Sequence, residues 1–402
     1  MIKKKKFLSL MSGTFMLMTV YLCGWDISLD EAFVELPSCP SCYGQGLCPL
    51  ILPHQNASVQ RIELTGTSGW KLMRFVNYKN VYYGHSGENP VVLKKLAHDT
   101  ELREFDKKVC NMKRALNCNV SEILGNLLWR NNYDVALVIR QHPSVFGKSD
   151  SIMCNHSRIL QHLYRKYTKI DKGPHQQQHF LTTLAINSEP LLLSAFEQTG
   201  WFPALRGTCG RVIVEDYVGP TLTQLSHVPW LERADYARQL LEMAQEFSYS
   251  EFRLYLTDVS LDNFAVDAEG KVKIIDAENI VMVDPSVLNL ETTEHVNEGI
   301  GCTDCLSFSY EDLCGHTSAD HNFFAVCKGM LSSTSYSRDL PVGLLYSPPS
   351  WVTEKYPALQ RDIEDCAGHF SRSSHHIPRR RDAAIRLLFH IQDILRKSVK
   401  YS

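Results

Sequence analysis

What the 402-residue sequence most plainly lacks is a surplus of charge: 42 lysines and arginines face 44 aspartates and glutamates, a formal net charge of -2. So close a balance removes any global electrostatic basis for binding nucleic acid or an anionic membrane surface. Internal repeats and long low-complexity tracts are also missing, which excludes repeat architectures. With 44% hydrophobic and 21% charged residues, the composition is that of a globular chain, long enough for one large domain or two modest ones. The local exception to the charge balance is Arg379-Arg380-Arg381. It reads as a solvated loop ahead of a terminal helix, with anion docking or a processing site as alternatives.

Charge is absent again from Phe7 to Cys23, directly after Lys3 to Lys6. A basic tetrad abutting an apolar run is a targeting segment, and its length fits either a cleaved signal or an uncleaved anchor within residues 1–24. An anchor would leave the lysines in the cytosol and the remainder in the lumen. Apart from Cys23, twelve cysteines remain of the thirteen. An even number in an oxidising compartment favours disulfides, although the Cys-x-x-Cys spacings at Cys39/Cys42 and Cys302/Cys305 would suit zinc or redox chemistry in a cytosolic chain. Sequence alone does not give the pairing. Acceptor sequons at Asn56, Asn119 and Asn155 agree with a luminal chain.

Residues 25–60 form a cysteine-rich lead-in punctuated by proline and glycine, expected to be a disulfide-tied extension. Strand-like patterns then run over Leu72–Val76, Asn80–Tyr83 and Val91–Leu96, followed by a helix near Thr100 with Leu102, Phe105 and Val109 at helical spacing. Residues 110–187 carry helical runs at Glu122–Arg130 and Arg158–Lys169 and read as an insertion within a first lobe of 61–219. Strands return at Phe202–Leu205 and Arg211–Val218. A second lobe, 220–402, holds an amphipathic helix near Leu231–Phe247, a loop-rich stretch with four cysteines between 302 and 327, and a closing helix over Asp382–Lys397.

Phosphoryl transfer from a magnesium nucleotide requires few protein parts: a lysine on the phosphates, an acid to hold it, a carboxylate near the incoming hydroxyl, and two metal ligands. In Leu256-Thr257-Asp258-Val259-Ser260-Leu261-Asp262-Asn263 an aspartate precedes an asparagine by five residues. Phe264–Val266, a turn at Asp267–Gly270 and Val272–Ile275 then form a hairpin that delivers Asp276. Singly, each of these residues is an ordinary turn or cap residue. Their joint spacing is that of a kinase catalytic loop and the metal-binding aspartate that follows it. Histidines 175 and 179, at i, i+4, would suit a metal on a helix, but glutamines flank them and no carboxylate is close in sequence.

With these residues in view, the sequence resembles the divergent protein kinase domain family of the secretory pathway, and within it the type 2, deleted-in-autism-related members. The resembling words are 256–266, 272–279, Cys-Pro-Ser-Cys-Tyr-Gly at 39–44, Val-Val-Leu-Lys at 91–94 and Gly-Thr-Cys-Gly-Arg at 207–211. The likeness covers nearly everything after the targeting segment. It implies an α+β, two-lobed protein-kinase-like fold with a disulfide-rich N-terminal extension, located in the Golgi lumen or secreted, with ATP and magnesium or manganese as cofactors. Asp258 would be the catalytic base and Asn263 and Asp276 the metal ligands. Lys94 would be the phosphate lysine, since strand alternation turns Lys95 to the other face. Glu101, sharing a helix face with Phe105, would be its acidic partner. Backbone groups around Glu215 to Tyr217 would meet adenine at a hinge.

The departures concern the flanking residues. Leu256-Thr257 replaces the usual His-Arg, Ala277-Glu278 replaces the usual Phe-Gly, and Phe75 to Asn80 replaces a glycine-rich loop before Lys94. No Ala-Pro-Glu follows. Two functions stay open from sequence: a luminal kinase acting on secretory or extracellular proteins, and a pseudokinase acting as a secreted factor or binding module through a receptor.

Overall fold

The computed structural model describes residues 27–52, 61–65, 80–112, 118–146, 154, 157–288, 295, 308–332, 343–368 and 380–398. The targeting segment, Leu72–Val76, the Phe75–Lys79 turn, the sequons at Asn56 and Asn155, and the Cys302/Cys305 pair lie outside them. No helix among the described residues is long and apolar enough to cross a membrane. The chain divides into two compact units, Met1–Val138 with Lys166–Pro190 and Ala204–Tyr217, and Ile139–Arg165 with Leu191–Pro203 and Val218–Ser402. Residues 139–165 and 191–203, read from sequence into the first lobe, thus group with the second unit.

The first unit is built on a five-stranded antiparallel sheet: β1 (Ile62–Leu64), β2 (Val81–Ser86), β3 (Asn89–Lys95), β4 (Leu205–Cys209) and β5 (Val212–Asp216), in spatial order β1-β2-β3-β5-β4. Strand β3 is central, pairing Val81 with Lys94 on one side and Lys94 with Ile213 on the other. Its residues Val91 to Lys95 are all buried, because both faces of the strand are covered. Alternation sorts them: Val91 and Leu93 join a core with Phe33, Val34, Cys48, Ile51 and Leu52 of the lead-in, together with Val212 and Val214. The cysteine-rich lead-in is therefore part of the core that covers this face of the sheet.

Two of the family-resembling words dock the lead-in onto the sheet. Cys39 pairs with Cys42, and Cys48 with Cys209 of β4. Tyr43 and Leu47 donate backbone hydrogen bonds to the carbonyls of Gly210 and Thr208, and Arg211 donates to that of Val34. Gly210 has φ +60°, and a Cβ there would lie 1.9 Å from the Val34 carbonyl oxygen, so only glycine allows this approach. On the same face as Leu93, Lys95 pairs with Glu35, which also accepts from Arg211 at 3.2 Å.

In the second unit the long helix Trp230–Tyr249 buries Ala237, Leu240, Leu241 and Ala244. It also grips a hairpin of β7 (Phe264–Val266) and β8 (Val272–Ile274): the Gln239 amide donates to Gly270 O and accepts from Val272 N–H, both at 2.9 Å. At the hairpin turn the Asp267 carboxylate accepts from the N–H groups of Glu269 and Lys271. A second antiparallel pair, β6 (Arg253–Tyr255) with β9 (Val281–Val283), flanks the catalytic-loop sequence. Cys154–Cys314 and Cys327–Cys366 tie this unit. The solvated-loop reading of the arginine run is corrected at its centre. Arg380 is 1% exposed, donates to Asp320 at 2.6 Å and to Gly368 O at 3.0 Å, and lies over the Phe324 ring. A buried guanidinium needs such partners, and Asp320 supplies the countercharge.

Candidate active site

In the first unit, Lys94 turns to the face opposite Leu93 and is buried. Its ammonium lies 2.8 Å from Glu189 and 2.7 Å from Glu215, both carboxylates being almost fully buried. Glu215 reaches it because Lys94 registers with Ile213 on the neighbouring strand, which places Glu215 two residues along the same face. Glu189 begins the helix Glu189–Phe196, whose start is set by the Asn187 side chain accepting the Glu189 N–H at 2.9 Å and by Pro190 in the first turn. Burial alone would pull the ammonium's pKa down; the two carboxylates more than reverse this and hold Lys94 protonated, well above its ordinary value.

This overturns the expectation for Glu101. Glu101 is exposed, and its carboxylate accepts from the His98 N–H at 3.0 Å, closing a capping box at the start of the helix Asp99–Asn111. The buried face of that helix is Leu102, Phe105 and Val109. Glu189, not Glu101, is the helical acid on Lys94; its only sequence signal is an acidic residue opening the apolar run Leu191–Leu193. In the expected hinge, Glu215 to Tyr217, the Glu215 side chain and the Asp216 and Tyr217 N–H groups have partners within the first unit. The Glu215 side chain belongs to the Lys94 cluster, the Asp216 N–H donates to Ala204 O, and the Tyr217 N–H donates to Pro90 O. The Tyr217 ring instead meets Tyr83 edge-on at 5.9 Å.

In the second unit, Asp258, Asn263 and Asp276 are brought together by the β7–β8 hairpin. The buried Asn263 donates its side-chain amide to Asp258 O at 3.2 Å and accepts the Ile275 N–H on its own carbonyl at 2.9 Å, which fixes the loop beside Asp276. Asp258 is exposed and Asp276 half-buried, and both line a small cleft with Thr257, Phe264, Ile274 and Asn279. The Asn279 amide lies 3.5 Å from the Asp258 carboxylate, and the Thr257 hydroxyl donates to Asn279 O. Asp258 and Asp276 bring two carboxylates to this cleft, oxygen donors of the kind that suit a hard divalent cation such as magnesium or manganese.

Where the usual His-Arg is missing, the loop is anchored through its backbone. Leu256 N–H donates to the Asn322 side chain at 2.9 Å, and Leu256 O faces His321 Nε2 at 2.8 Å. Both anchors come from the buried helix His321–Val326, which no sequence periodicity had marked. Burial pushes the His321 pKa down to about 4, the Leu256 hydrogen bond opposing this and His295 and Arg380 adding to it. His321 is thus neutral when folded, so its contribution is full above the unfolded value near 6.5 and is lost as pH falls toward 4. Stability should fall between pH 7 and pH 5 by on the order of 2 kcal/mol from this residue. Urea midpoints of the wild type and His321→Gln, measured at both pH values in chelator-containing buffer, should show a shallower loss in the variant; parallel losses would contradict it.

Of the His175/His179 pair, His179 meets a carboxylate, that of Asp171 eight residues earlier. His179 Nδ1 lies 2.6 Å from Asp171 in a fully buried pair, while His175 precedes the helix Gln176–Ile186.

Comparison with known proteins decides the family. A family model described as "Protein-kinase domain of FAM69" matches residues 181–369, the stretch from before Glu189 to past the helix Leu359–Ala367. A human protein named Divergent protein kinase domain 2A is 35% identical over 369 residues, which cover 84% of this chain and 83% of that protein. The chain belongs to the divergent protein kinase domain family, type 2. The Xenopus tropicalis protein of the same name is 34% identical over 369 residues, covering 84% of this chain and 83% of its own length. Human Divergent protein kinase domain 2B is 25% identical over 272 residues, 64% of this chain and 62% of that protein. For a divergent protein kinase domain chain, the mixed helix and strand architecture with a kinase-like domain is the fold expected from the catalytic-loop spacing.

Proposed function

We propose that this chain binds ATP with magnesium or manganese and transfers its terminal phosphoryl group to luminal or extracellular proteins. The observation that carries this reading is the buried, protonated Lys94 on β3, held by a glutamate from a helix and a second from β5. A lysine kept charged in that way is a phosphate partner in kinase chemistry. In this reading Asn263 and Asp276 supply oxygen ligands to the metal, which when bound neutralises charge on the phosphates. Asp258, exposed at the cleft, accepts the proton of the incoming hydroxyl. The secretory location rests on the basic tetrad and apolar run of residues 3–23, and it agrees with five disulfides among the described residues and with Asn119 exposed at a helix start.

Asp258→Asn keeps the shape of the loop and removes the base. It should reduce phosphoryl transfer by about 100-fold or more while leaving nucleotide binding unchanged, as read by labelled transfer and equilibrium titration on the same preparation. Equal transfer by wild type and variant would contradict the assignment. One observation favours a second reading, a secreted factor acting through a receptor: two carboxylates already engage Lys94, and the Tyr217 N–H is bonded within the sheet. Receptor signalling that survives both Asp258→Asn and Asp276→Ala would select it.

A further inference from the structure

We propose that His295, Asp312 and His316 form a binding site for a transition-metal cation of the zinc class, separate from the all-oxygen set at Asp258 and Asp276. Each residue is half-buried, and one ligand atom from each lies within 4.8 Å of the others. His295 Nε2 is 4.0 Å from the Asp312 carboxylate, and the two imidazole rings lie 4.9 Å apart. Zinc bonds of about 2.0–2.1 Å set neighbouring ligand atoms about 3.3 Å apart in a tetrahedron, so side-chain rotation of about an ångström closes the site. Two imidazole nitrogens and one carboxylate select a borderline metal over calcium or magnesium and leave a fourth position for water.

The positioning of the ligands is what distinguishes this cluster from an ordinary surface group. Asp312 and His316 are four residues apart at the helix Tyr310–Gly315 and its C-cap, and so share a face. His316 Nδ1 lies 2.7 Å from Asp312 O. A Nδ1–H donated to that carbonyl leaves the Nε2 lone pair as the ligand, the arrangement by which backbone carbonyls orient metal-binding histidines. The helix is fixed by the Ser309 hydroxyl at its N-terminus, 3.2 Å from Asp312 N, and by Cys154–Cys314. His295 is held independently by backbone bonds to Ser318 O at 3.0 Å and from Asp320 N–H at 3.1 Å.

That last contact gives the site a consequence. Asp320 directly precedes His321 and Asn322, which hold Leu256 in the catalytic-loop sequence. A metal joining His295 to Asp312 and His316 ties the segment entering this anchor to a disulfide-fixed helix. The site therefore acts as a brace behind the loop that carries Asp258.

Titration of the full-length, chelator-treated protein with cobalt, followed by visible absorption, tests this without nucleotide. Saturable, equimolar d–d absorption that zinc displaces is expected. His316→Gln and Asp312→Asn should each weaken binding by more than about 10-fold. Asp276→Ala and His175→Gln should leave it intact, which separates this site from the nucleotide metal and from the other histidine pair. Absence of a saturable cobalt signal in the wild type would overturn the proposal whatever the variants do. So would equal retention of metal by wild type and His316→Gln, or loss of the signal in Asp276→Ala.

Discussion

Replacing Lys94 with methionine should lower stability by about 3–5 kcal/mol, far more than replacing either of its glutamates with glutamine. The reason is a charge count made in a buried place. Lys94 sits between Glu189 and Glu215, so the wild-type cluster holds one positive and two negative charges. Glu189→Gln or Glu215→Gln leaves a neutral pair that keeps hydrogen-bonding atoms at the same positions. Lys94→Met removes the cation that both carboxylates share, and much of their desolvation is no longer offset. Urea unfolding of the three variants checks this directly. Equal losses in all three would mean that the cluster is not a single electrostatic unit.

The second large effect concerns the Cys48–Cys209 disulfide, which closes a sequence separation of 161 residues. In the chain-entropy account a loop of that length corresponds to about 5 kcal/mol of stabilisation, against about 2.5 kcal/mol for a separation of 8 residues, that of Cys110–Cys118. The difference matters here because the lead-in is core rather than tail: Phe33, Val34, Ile51 and Leu52 cover one face of β3 through Val91 and Leu93. Paired Cys48→Ser and Cys209→Ser substitutions should therefore lower the unfolding midpoint strongly. They should also open residues 27–52 to limited proteolysis, and Cys110→Ser with Cys118→Ser should do neither to the same degree. A lead-in that stays resistant in the first variant would show that packing alone holds it.

Much of this architecture was legible in sequence, and the failures share a physical cause. The hairpin between Asn263 and Asp276 was legible because a loop and one hairpin are local, and local turn chemistry fixes where the chain reverses. The long helix at Trp230–Tyr249 and the terminal helix at Arg380–Ser398 follow from their apolar stripes. Glu101 failed because a glutamate three residues past a helix N-cap can satisfy its own helix, a use with no tertiary requirement. Glu189 was missed because nothing in a linear string links it to a lysine 95 positions earlier. His321 and Asn322 were hidden likewise, since a fully buried short helix has no polar face to give it a period. Arg380 shows the converse: a basic run signals solvent only when no buried carboxylate waits elsewhere, and Asp320 is such a carboxylate.

Two of the five words that carry the family resemblance, 39–44 and 207–211, lie where the lead-in meets β4 and β5 rather than among the catalytic-loop residues. Their cysteines and glycines answer to disulfide geometry and close backbone approach.

The nucleotide reading is tested most directly by a thermal-shift titration of the full chain with ATP and magnesium or manganese. Nucleotide at 100 times its dissociation constant should stabilise the wild type by about 2.7 kcal/mol. The shift should require the metal, persist in Asp258→Asn and vanish in Asp276→Ala. A wild type that shows no metal-dependent shift at millimolar nucleotide would contradict the account.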